Sequence, residues 1–156
     1  MDFFFELEFA MASLYARGVL SRPMSHPTNL ADEAELLRLT HKLLDAVVNH
    51  DWPTYASLCD ENLTCFEPEA RGQCVAGLEF HKFYFDLPAG SGPRHTTLCD
   101  VHVRILGDAA LVTYVRLTQR LDATGRPATS AIEETRVWQR IGGAWKHVHF
   151  HRSVPQ

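Results

Sequence analysis

The second half of the chain constrains the fold most. From Thr96 onward, four long runs follow one another: Thr96 to Leu106, Ala110 to Leu121, Ser130 to Ile141 and Ala144 to Arg152. Their apolar and polar residues alternate, which is the two-residue period of strands with one face buried. Gly107-Asp108 and Gly142-Gly143 separate two of the pairs as tight hairpin turns, and Asp122 to Pro127 is a longer one. Such a series predicts a four-stranded antiparallel meander.

The first half is helical. Leu36, Leu39, Leu43, Leu44, Val47 and Val48 form one apolar stripe, with Asp32 as the expected N-cap. A short second helix is expected over Trp52 to Cys59, with Asp51 as its cap and Pro53 in its first turn. Leu63 to Phe66 reads as a short strand, and the aromatic segment Gly77 to Asp86 as a third helix. Helices followed by an antiparallel meander place the chain in the α+β class, with helices on one face of a curved sheet.

Residues 1–30 read as a separate arm and linker, and residues 31–156 as one domain. In the arm, Phe3, Phe5, Leu7 and Phe9 alternate as in a strand. Phe4, Leu7, Met11 and Leu14 instead recur at helical spacing, with Asp2 and Gly18 as start and stop. Ser21 to Asn29 holds Pro23 and Pro27 and reads as a linker. So many phenylalanines on an arm call for a hydrophobic groove. Met11 to Pro27 carries arginines and serines without an acid, so organelle targeting stays open beside the cytoplasmic expectation.

A formal net charge of −4 argues against nucleic acid or an anionic membrane as partner, since both need a basic field. Cys59, Cys65, Cys74 and Cys99 match no zinc-ribbon or redox spacing and read as reduced thiols. No phosphate-binding loop, zinc-protease, serine-hydrolase or kinase motif is present.

Strand alternation locates the chemistry. Val112, Tyr114, Arg116 and Thr118 share one face. Ile132, Glu134, Arg136 and Trp138 share another, and Lys146, Val148, Phe150 and Arg152 a third. If these faces meet the helices, Arg116, Arg136 and Arg152 enter the concave side of one sheet. Burying a guanidinium costs roughly several kcal/mol unless it is paired. Glu134 is one internal partner, and Glu67 or Glu69 offer others. Two readings stay open: three separately paired arginines, or a pocket that binds a carboxylate through the planar guanidinium fork.

By the same alternation His147, His149 and His151 fall on one side of the last strand. A straight row of three cannot converge on one ion without help, so no metal ligand is assigned and no cofactor is expected. Phe80-His81-Lys82-Phe83-Tyr84-Phe85 reads mainly as core, with His81 at the pocket mouth.

Several blocks resemble a known family. They are Cys59-Asp60, Phe66-Glu67-Pro68-Glu69-Ala70, Gly77-Leu78-Glu79-Phe80-His81, Phe83-Tyr84-Phe85 and His95-Thr96-Thr97. Glu133-Glu134-Thr135-Arg136-Val137-Trp138 and Val148-His149-Phe150-His151-Arg152-Ser153 complete the set. Together they resemble the association (hub) domain of calcium/calmodulin-dependent protein kinase II, from about Ala34 to Ser153. The resemblance implies a nuclear-transport-factor-2-like cone that assembles copies of itself, and any tethered kinase subunits, into two stacked rings without catalysis. It implies a pocket of Arg116, Arg136 and Arg152, with His81 nearby, for a small carboxylate or acidic segment; strand alternation adds Glu134 and Tyr114 on the same faces. The alternative on the same cone is a small isomerase or dehydratase using His81 or Glu134.

This chain departs from the family in two places. The family's pocket-covering tryptophan is replaced by Leu87-Pro88-Ala89-Gly90-Ser91-Gly92, and His147 stands where the family has an aliphatic residue. The calmodulin-binding segment and kinase expected of a full-length family member are not found in residues 1–30.

Overall fold

A computed structural model describes residues 27–88 and 92–155. The expectations for the Phe-rich arm fall outside them. Apart from the first turn of one helix, every element among the described residues lies in the unit Ala31–Gln156.

Helix α1 spans Pro27–Val48. Leu36, Leu39, Leu43, Leu44 and Ala46 are buried, the spacing of one helical face. Asp32 does not cap this helix, because α1 begins at Pro27, the residue whose fixed φ and missing N–H suit a first turn. The Asp32 carboxylate instead pairs with Arg140 at the end of a strand. Val47 leaves the expected stripe and is 36% exposed. Helix α2 spans Trp52–Leu58, and Asp51 caps it by accepting the Thr54 N–H at 3.1 Å.

Strand β1 covers Cys59–Phe66, a 3-10 turn Pro68–Ala70, β2 Val75–Ala76 and α3 Glu79–Asp86. Strands β3 (Arg94–Leu106), β4 (Ala109–Leu121), β5 (Pro127–Ile141) and β6 (Ala144–Ser153) form the expected meander. Gly142 and Gly143 both have positive φ, 60° and 84°, as a tight hairpin of this kind requires.

The sheet order is β2-β1-β6-β5-β4-β3. Every pairing is antiparallel except β1 with β6, which is parallel. The architecture is α+β, with helices on a curved, mainly antiparallel sheet. The helical leucines meet Val112, Tyr114, Trp138 and Phe150 in one core. No helix among the described residues is long and apolar enough to cross a membrane.

One irregularity overturns part of the strand reading. Val137 pairs with His149 but Trp138 pairs with His147, so Val148 is an extra residue in β6. A bulge of this type shifts the alternation by one. Trp145 and His147 therefore join Phe150 in the core, while Lys146 does not share the inward face of Phe150 and Arg152. The three histidines do not form a row on one side. His147 is fully buried, His149 is half-buried with its Nδ1 2.8 Å from Thr64 Oγ1, and His151 is exposed.

Candidate functional site

Strand alternation on β4 and β5, together with the C-terminal end of β6, sends charged side chains into the space beneath the helices. They border a cavity of about 190 Å³. Arg116, Arg136, Arg152, Glu134, Glu67 and Glu69 line its polar side. His81, Tyr84 and Phe85 of α3 line another, with Val47, Tyr55 and Phe150. Five of the six residues singled out from the sequence thus meet at one cavity. Tyr114 does not line it and lies behind the wall, 3% exposed.

Glu134 is the hub of the deeper contacts. Its Oε2 accepts from Tyr114 Oη at 2.6 Å and from Arg136 Nε and Nη2 at 3.1 and 2.6 Å. Arg136 Nε also donates to Tyr114 Oη at 2.6 Å, and the guanidinium lies 5.0 Å from the centre of the Phe150 ring. On the other oxygen, Arg116 Nε is 3.0 Å from Oε1. That distance makes an ion pair, but the N–H is poorly aimed, and neither atom has a hydrogen-bond partner among the described residues.

A second cluster sits at the end of β1. Arg152 Nε donates to Glu67 Oε2 at 3.0 Å, and its Nη2 reaches Glu69. Glu67 Oε1 lies 3.5 Å from His81 Nε2. Three arginines therefore meet three carboxylates, so the cavity wall is close to charge-balanced.

Burial would raise the Glu134 carboxyl, but Arg136 and Arg116 outweigh it and hold the group below its ordinary range. Burial raises Glu67, with Arg152 opposing. Burial, followed by Arg136 and Arg152, lowers His81 to about 4. At neutral pH His81 is an uncharged, weak base and Glu134 is a carboxylate held ionised by Arg136 and Arg116. Neither is set up to take a proton from a substrate.

The sequence reading missed two features. His147 enters the site because of the bulge, accepting from Arg136 Nη1 at Nε2, 3.2 Å away. Cys65, read only as a reduced thiol, lies with its Sγ 3.5 Å from His81 Nε2. A bulge has no reliable signal in strand alternation, and contacts between β1 and α3 have none at all.

Comparison with known proteins follows the same geometry. The family described as calcium/calmodulin dependent protein kinase II association domain matches residues 32–155. The association domain of C. elegans CaMKII is similar at 45% identity and a TM-score of 0.78, covering 83% of this chain and 100% of that one. The CaMKII hub homology domain of Chlamydamonas reinhardtii is 44% identical with a TM-score of 0.75, covering 80% and 99%. An NTF2-like protein of unknown function from Pseudomonas putida KT2440 shares the fold at 20% identity and a TM-score of 0.66, covering 81% and 88%.

Proposed function

The chain belongs to the calcium/calmodulin-dependent protein kinase II association-domain family, and from that premise we propose that it is a cytoplasmic oligomerisation hub. Its copies close into two stacked rings, following the closed symmetry usual for homo-oligomers. Kinase subunits are the partners it gathers where they are tethered to it. The family match across residues 32–155 carries this reading. Native mass spectrometry at micromolar concentration tests it. The expected species is a large, discrete multiple of the 17.7 kDa chain. A monomer or simple dimer overturns it.

The cavity is the ligand site of this hub, taking a small carboxylate or an acidic peptide side chain. Arg116, Arg136 and Arg152, with His81, Glu134 and Tyr114 around them, are its binding residues. Arg116 supports this best, because it lines the cavity, its side chain is 12% exposed, and its Nε has no well-aimed hydrogen bond among the described residues. Short aliphatic carboxylates are expected to raise the melting temperature of the chain, and Arg116→Met to abolish that rise. An equal rise in the variant places the ligand elsewhere. The protonation states of His81 and Glu134 weigh against the isomerase or dehydratase alternative.

A further inference from the structure

We propose that Cys65, Glu67 and His81 form a binding site for a zinc-type divalent cation. The Sγ, a carboxylate oxygen and a ring nitrogen of these residues all lie within 4.8 Å of one another. Cys65 is the second-last residue of β1, and Glu67 follows two residues later on extended backbone, φ −147° and ψ 154°. Two residues apart on an extended chain share a face. Helix α3 supplies His81 opposite them.

Two of the three edges match the ion, and the third, from Cys65 Sγ to the Glu67 oxygen, lies within 4.8 Å and closes by a small side-chain movement on binding. Zinc holds sulfur at about 2.3 Å and nitrogen or oxygen at about 2.0–2.2 Å, so the edges of its tetrahedron are about 3.4–3.6 Å. Cys65 Sγ to His81 Nε2 is 3.5 Å, and His81 Nε2 to Glu67 Oε1 is 3.5 Å. Thiolate, imidazole and carboxylate together are a donor set zinc accepts and magnesium or calcium does not.

The surroundings prepare the ligands. Arg152 holds the second Glu67 oxygen at 3.0 Å, which orients the first toward His81. Cys65 is fully buried. The bare thiol is unreactive, and a metal ion binds by displacing its proton. Three protein ligands leave a fourth position. Glu67 and His81 both line the cavity, so that position faces it. The site shares His81 and the Glu67 wall with the proposed carboxylate pocket but adds Cys65, and it stands whether or not a carboxylate binds there.

The test uses the assembled full chain, stripped with a chelator and titrated with Co²⁺. One ion per chain is expected, with a thiolate-to-cobalt charge-transfer band and the visible bands of a four-coordinate ion, all bleached by Zn²⁺. Cys65→Ser is expected to lose the charge-transfer band, and Cys59→Ser to keep it. A parent without the band, a band that survives Cys65→Ser, or one lost only in Cys59→Ser overturns the site. His81→Gln guards against a Cys65 variant that fails to fold: weakened cobalt binding is expected, and unchanged affinity overturns the proposal.

Discussion

Glu134→Gln is expected to lower stability by about 3–5 kcal/mol, the usual cost of leaving one member of a buried ion pair without its partner. The Glu134 side chain is fully buried and balances two guanidinium groups, Arg116 and Arg136. Arg136 does not lose its proton at any ordinary pH, so its charge stays buried when the carboxylate goes. Glutamine keeps the shape but turns an amide toward one of the cations. Arg136→Met serves as the comparison and is expected to cost less. In that variant Glu134 retains Arg116 and the Tyr114 hydroxyl, so no ion is stranded. Denaturant titration of the two variants checks the order. A loss below about 1 kcal/mol for Glu134→Gln would mean that water reaches the pair, as in a surface ion pair.

The second large effect depends on pH. His147 is fully buried between Arg136 and Cys59, with Nδ1 3.7 Å from Cys59 Sγ. Its Nε2 accepts from Arg136, so the ring is neutral and protonated at Nδ1. Burial first, then Arg136, holds its pKa well below the ordinary value. His81 and His149 also face it and act in the same direction. In the unfolded chain the group titrates near 6.5. Between the folded and unfolded values the unfolded chain binds the extra proton. The His147 contribution is therefore complete above about pH 6.5 and declines by about 1.4 kcal/mol for each pH unit below it. His147→Val is expected to be less stable at neutral pH but to show a shallower decline in acid. Identical slopes for parent and variant, measured by unfolding between pH 7 and 5, would remove His147 from this role.

Sequence periodicity revealed the site only where the strands are regular. On β4 and β5 the unbroken alternation put Tyr114, Arg116, Glu134 and Arg136 on the inward face, and they lie there. On β6 the same rule failed at Val148, since one extra residue reverses every side chain before it. Asp32 looked like a cap because it precedes the apolar stripe, but α1 starts five residues earlier and Asp32 serves Arg140. Cys65 and His81 carry no spacing signal. They meet because β1 and α3 pack together, which is tertiary information. The parallel β1–β6 pair was likewise illegible, since nothing local distinguishes a strand's distant partner.

That pair also orders events in time. Thr64 and His149 are neighbours in space but 85 residues apart in the chain. During synthesis β1 emerges long before the strand that completes it, and waits with one edge unpaired. Loop-closure entropy makes such distant pairings late and slow. Arg152 reaches Glu67 and Glu69 only after β6 has docked. The carboxylate end of the cavity is therefore expected to be the last part to form on the folding route and the first to open when the chain unfolds.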